Sequence, residues 1–281
     1  MLNFSYTFLD QRSTALDTGN SSLGGTAYNQ FQPDSDYGVD GYVSRHRAVL
    51  YGIYNLPFGR KRQYGASMAR WADAIVGGWQ TSFYMFAKSG TGFTPFWICD
   101  DCNPIEPGNI GISSIDAVGD FGAEPSFRPV VLSNNFNQRS GDVIWNAAAF
   151  GVPPVGADVF TQPSVAKRNM LWGPGTWALN LGVHKDFHFG ERVTSQFGAD
   201  VDNIFNHPLF SPDQSTGGGC GDFALLGDFL LRVDPNTGNL LPIDTVNDVF
   251  PNPNFGKLKS SFTQEGVNNR RTVRLRLRIT F

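Results

Sequence analysis

"TVRLRLRITF", Thr272 to Phe281, is the stretch on which the fold turns. Val273, Leu275, Leu277, Ile279 and Phe281 alternate with Arg274, Arg276, Arg278 and Thr280. A period of two sends successive side chains to opposite faces of a β-strand. This strand therefore has one apolar face and one strongly cationic face.

Working back along the chain, the next clear signal is a hairpin. Trp177, Leu179, Leu181, Val183, Phe187 and Phe189 share one face of a strand, and Asn180, His184, Asp186 and His188 share the other. Gly190-Glu191-Arg192 reads as a tight turn. The returning strand puts Val193, Phe197, Ala199, Val201 and Phe205 on its apolar face and Thr194, Gln196, Asp200 and Asp202 on its polar face. If this strand and the last one are antiparallel neighbours, Thr194 sits at the end that holds Thr280, and Asp200 falls opposite Arg274. A slip of two would offer Asp200 to Arg276 instead. A slip of one would turn the faces over. Carboxylates facing the three arginines make electrostatic sense, because opposite charges on neighbouring strands stabilise and like charges do not. Earlier strands are expected at 2–9, 44–56 and 78–96, with a short helical piece at 66–76, and the later ones span 176–189, 192–206 and 271–281.

The gaps between these strands are sorted by length. Residues 10–43, 97–172 and 208–268 make long loops, while the gaps after the second and fourth strands are shorter. In a meander, alternate gaps lie at opposite ends of the sheet. Long loops at one end and tight turns at the other are the pattern of an outer-membrane barrel, whose strands of about ten residues are apolar outward and polar inward. Composition agrees. Of 281 residues, 17% are charged and 14% aromatic, with 24 Phe, 32 Gly and 17 Pro, which favours an all-β protein with long loops. The expected fold is an all-β antiparallel meander of about six long strands, part of a transmembrane β-barrel and incomplete by itself, since such barrels close with about eight strands or more. A formal net charge of -3 gives no reason to expect nucleic-acid binding.

Candidate chemistry is sparse. His184, Asp186, His188, Asp200 and Asp202 share a face of the hairpin, and imidazole with carboxylate suits transition metals. Strand alternation beside a wet lumen explains the same residues without a metal, and no metal or other cofactor is expected. The candidate polar cluster is His184, Asp186, His188, Asp200, Asp202, Arg274, Arg276 and Arg278. Cys99-Asp-Asp-Cys102 is a lone C-x-x-C, either a local loop disulfide or a pair of free thiols, and Cys220 stands apart. "VDPNTGN" misses the calcium-loop spacing, and its "DPNTG" core reads as a hairpin turn. "STGGGCGD" (215–222) lacks the lysine of a phosphate-binding loop, and no nucleophile or zinc-protease motif is present, so the chain is not expected to be an enzyme. Trp71, Trp79, Trp172 and Trp177 fall near expected strand ends, where aromatic girdles lie, although ordinary packing accounts equally well for any one of them.

Several short stretches, taken in order, resemble one family: "YNLPFGR" (54–60), "GGWQ" (77–80), "SGTGFTP" (89–95), "WNAAAF" (145–150), "RNMLWGPG" (168–175), "DNIFNHPLF" (202–210) and "FGK" (255–257). Together they resemble the C-terminal end of the barrel in Oar-like TonB-dependent receptors, from about residue 44 onward. The resemblance implies an outer-membrane barrel of about 22 strands, an N-terminal plug in its lumen, and a TonB-contacting box ahead of the plug. It implies import or binding of an extracellular solute by the parent protein. Plug, TonB box and signal peptide are not recognisable in this chain, so its expected partners are the missing barrel and plug, the outer membrane, and TonB only through the plug. The last strand also resembles the assembly signal that such barrels present to the barrel-assembly machinery, with Phe281 as its terminal aromatic. The alternative expectation is a structural or adhesive β-protein, an oligomeric barrel or a secreted module, without transport activity.

Overall fold

A computed structural model describes residues 1–14, 34, 37–41, 43–60, 62–99, 126–152, 165–189, 193–212, 224–232, 234–237, 241–261, 263–264, 267–268 and 270–281. Its principal element is a six-stranded sheet. The strands are β1 (Leu2–Phe8), β2 (His46–Asn55), β3 (Trp79–Lys88), β4 (Thr176–Phe189), β5 (Val193–Asp202) and β6 (Thr272–Thr280). They stand in sequence order and every neighbouring pair is antiparallel, as expected of a meander. The sheet is open: β1 and β6 are its edges. A short helix, α1 (Arg70–Val76), lies between β2 and β3.

The ladders define two faces. Leu181 stands opposite Phe83 and Val201, Ala199 opposite Leu275, and Leu50 opposite Phe4 and Met85. One face is thus apolar across all six strands. Asn180, Gly182, His184 and Asp186 face the other way with Ser82, Asp200 and Arg274. The alternation is weakest in β2 and β3, where Val49, Tyr51, Ile53, Tyr84 and Phe86 join the otherwise polar face.

Two strand ends differ by more than two residues from those the sequence suggests. The third strand was expected to run to residue 96 but ends at Lys88. A Cβ on Gly90 would sit 1.9 Å from the Gly173 carbonyl oxygen, so here two backbones meet with no room for side chains. Beyond that crossing the chain leaves the sheet, and Gly92–Phe93 pairs instead with Leu171–Trp172. The fifth strand was expected to reach residue 206 but ends at Asp202, because Asn203 turns left-handed with φ 48°. The buried Asn203 side chain then accepts from His207 N and donates to His207 O, each at 2.9 Å. Phe205 is therefore outside the ladder, although its ring still rests 5.9 Å from that of Trp177.

The segments between strands were expected to be long loops. Their described residues carry most of the buried core instead. Phe93, Trp145, Phe150, Leu171, Leu226, Phe229 and Phe255 belong to one buried cluster, all outside the six-stranded sheet. Trp145 is its centre, with its ring 5.4 Å from Phe93 and 5.5 Å from Phe255 and its Nε1 donating to Trp172 O at 2.8 Å. Beside it lies a four-stranded sheet in the order Val249–Pro251, Leu225–Phe229, Phe96–Cys99, Ser126–Phe127, with its middle pair parallel. We call this assembly the lobe, the end of the large sheet from which it springs the loop end, and the opposite end the turn end. The first long segment is tied to the lobe by a buried ion pair, Arg168–Asp40 at 2.7 Å, and by Asn169 Nδ2 donating to Val39 O at 2.7 Å.

Candidate functional site

The polar face of β4, β5 and β6 holds most of the ionisable residues singled out from the sequence. Its register follows from the apolar alternation of each strand, because any odd slip would expose one apolar set. Thr194 pairs with Thr280, Asp200 with Arg274 and Asp202 with Thr272, the register expected from the sequence. The ion pairs do not follow the direct pairing. They run diagonally: Arg274 reaches Asp202 Oδ2 at 2.6 Å, and Arg276 reaches Asp200 Oδ2 at 3.1 Å. Arginine is long enough to bridge a diagonal neighbour across a sheet. Each of the two carboxylates then holds one guanidinium.

His184 is placed by glycine. It stands opposite Gly198, and a Cβ on Gly198 would lie 2.2 Å from His184 Cδ2. A Cβ on Gly182 would lie 2.5 Å from Ser82 Oγ and 3.0 Å from His184 Cε1. The imidazole therefore lies down over bare backbone, between two glycines. In that position His184 Nε2 is 3.0 Å from Asp200 Oδ1. Asp200 is shared, with His184 on one oxygen and Arg276 on the other. Nearby, Gln196 Nε2 donates to Asp186 Oδ1 at 2.9 Å. In the ladder His188 pairs with Thr194, and Arg278 stands opposite Gln196.

A cleft of about 270 Å³ opens beside this network, lined by Ser82, Tyr84, Asn180, Asp202, Arg274 and Arg276 among others. Its chemistry is that of a charge-balanced wall, with Arg274 and Arg276 set against Asp202 and Asp200. Among the described residues no group of three or more His, Cys, Asp or Glu is arranged to hold a metal ion. The Cys102 and Cys220 positions, the "STGGGCGD" segment up to residue 222 and the Gly190-Glu191-Arg192 turn lie outside the described residues, and with them the question of a Cys99–Cys102 disulfide. The described part of "DPNTG", residues 234–237, forms a turn, held by the Asp234 carboxylate, which accepts from Asn236 N at 2.9 Å and Thr237 Oγ1 at 3.0 Å. These bonds hold its pKa below the usual carboxylate range.

Lys185 was overlooked in the sequence because strand alternation was read through its apolar neighbours. It lies on the apolar face, opposite Trp79 and Phe197, and is buried. Its ammonium donates to the Gly77 carbonyl and sits 5.2 Å from the Trp79 ring and 5.1 Å from the Phe187 ring. The available signal was its parity: residue 185 has the same parity as Val183 and Phe187.

The large sheet thus has an apolar face, a charge-balanced polar face, and lengths suited to a bilayer core. No helix among the described residues is long and apolar enough to cross a membrane, and a strand-built span needs none. The family model described as an outer membrane beta barrel domain matches residues 1–273. No curated protein and no solved structure matches the chain. By this match and by the two-faced sheet, the chain belongs to the outer membrane beta barrel domain family, a structural and transport class rather than a catalytic one, located in the bacterial outer membrane.

Proposed function

We propose that the six strands form the C-terminal sector of the barrel of an Oar-like TonB-dependent receptor, whose parent protein imports or binds an extracellular solute. The observation that carries this reading is the open meander with one apolar and one charged face. In hydrocarbon, every unpaired backbone N–H or C=O costs several kcal/mol, so β1 and β6 need strands to pair with. The ordered short segments from Tyr54–Arg60 to Phe255–Lys257 support a receptor of this type as the source of those strands. The polar face then lines the lumen, with His184, Asp186, His188, Asp200, Asp202, Arg274, Arg276 and Arg278 as part of its wetted wall. The lobe stands outside the cell, and energy enters through a plug and TonB-contacting box supplied by the rest of the parent. The apolar run of β6 up to Phe281 serves the barrel-assembly machinery as a recognition strand.

The genomic reading frame ahead of Met1 tests the proposal. A plug-like segment and signal peptide encoded in frame support it. A stop codon and ribosome-binding site directly before Met1 overturn it, in favour of a barrel closed by several copies of the chain with a structural or adhesive role. The packed lobe favours that second reading to the extent that a rigid outer surface suits adhesion. Under either reading, cells making this chain alone show no energy-dependent solute uptake, and such uptake would overturn both.

A further inference from the structure

The connection from β2 to β3 has a chemistry of its own. Between Leu56 and Gly78 it carries Arg60, Lys61, Arg62 and Arg70 against one acid, Asp73. Within it, α1 turns Trp71 and Ile75 to one side, four residues apart, where they are 73% and 64% exposed. Asp73 points inward to the connection, its Oδ1 accepting from Arg60 N at 2.6 Å. A seven-residue helix with its largest apolar side chains in the open is poorly built for water.

Two residues of the sheet decide where this helix hangs. Trp79 Nε1 donates to Ile75 O at 2.9 Å, and the Lys185 ammonium donates to Gly77 O. Trp79 and Lys185 stand opposite each other on the apolar face. The last turn of α1 is therefore fastened to the hydrocarbon side of the turn end and not to its polar side. A cation beneath the final carbonyls of a helix also suits the negative end of the helix dipole.

We propose that α1 and its basic approach are an interfacial anchor for the phospholipid leaflet at the turn end. Trp71 and Ile75 enter the acyl layer, and Arg60, Arg62 and Arg70 meet anionic headgroup phosphates. The inference rests on the reading that the apolar face lies in lipid. Two features select a lipid surface as the occupant: the excess of cations over the single acid, and the physical continuity of α1 with the apolar face through Trp79 and Lys185. Helices that lie in an interface combine an apolar side with flanking cations, and tryptophan settles at headgroup depth. Lys185, on the apolar face, is the strut that holds the helix at that depth.

The test uses the full chain in outer membranes, with photoreactive benzoylphenylalanine replacing Trp71 or, separately, Leu181 at the middle of the apolar face. Irradiation is expected to yield phospholipid adducts at both positions. Lipid adducts at 181 with protein adducts, or none, at 71 overturn the anchor and leave the membrane reading of the sheet standing. No lipid adduct at 181 overturns that reading and the anchor with it. In the Arg60→Gln/Arg62→Gln/Arg70→Gln variant, the ratio of phosphatidylglycerol to phosphatidylethanolamine among the adducts at 71 is expected to fall severalfold. An unchanged ratio overturns the headgroup contact.

Discussion

Gly198 sets where His184 can lie. Adding one methyl group there brings Cβ to 2.2 Å from the ring, so the imidazole must swing away and give up its 3.0 Å approach to Asp200. The ring is the movable partner and the ladder is not, so Gly198→Ala costs toward the low end of overpacking, about 1 kcal/mol. Urea unfolding of the membrane-embedded chain reads the loss, and parental stability would show that the ring was not held by that contact. Asp10, just beyond β1, gives a prediction in pH. The hydrogen bond from Arg12, aided by the charge of Arg45, holds the Asp10 carboxyl below its usual range. A carboxylate depressed by folding contributes above its unfolded pKa of about 3.9 and loses that contribution as pH falls through the lower folded value. The Asp10 carboxyl is therefore expected to titrate below about pH 3.9 by NMR, and to move back toward that value in Arg12→Ala.

At the scale of elements, β6 distinguishes its two faces sharply. Leu275 and Arg276 are adjacent, yet one lies on the apolar face and the other on the polar face. Leu275→Arg places a charge on the apolar face near mid-strand and is expected to cost about 2–4 kcal/mol. The reverse exchange, Arg276→Leu, removes one exposed partner of Asp200. A double-mutant cycle on Arg276 and Asp200 is expected to give a coupling below about 1 kcal/mol, because such pairs are screened by water. Comparable costs for the two substitutions would show the faces to be misassigned. The diagonal pairs Arg274–Asp202 and Arg276–Asp200 therefore do more for choosing register than for holding the sheet together.

At the scale of the whole molecule, membrane sheet and lobe rely on different forces. The sheet leaves large apolar side chains of one face uncovered by the chain itself, as Leu275 at 72% and Leu277 at 66% exposure illustrate. The lobe buries its own core around Trp145, which is 1% exposed. Trp145→Ala removes that centre and is expected to cost about 3–5 kcal/mol of lobe stability. Limited proteolysis on intact cells checks it: new cuts are expected between residues 89 and 175, with β4, β5 and β6 still protected. Cleavage within those strands would mean that the sheet depends on the lobe. Sequence alone determined the strand order, the two faces and, once the last two strands are taken as neighbours, the ladder register that sets Asp200 opposite Arg274, because a period of two is local and survives without knowledge of the neighbours. It did not reveal the lobe, since Phe93, Trp145, Leu171 and Phe229 follow no common period and meet only when distant segments cross, as at Gly90 and Gly173. Nor did it reveal the diagonal ion pairs or the seat of Lys185 beneath α1, which depend on side-chain reach between elements. Periodicity is a property of one strand, whereas packing is a property of several, and only the tertiary structure brings those together.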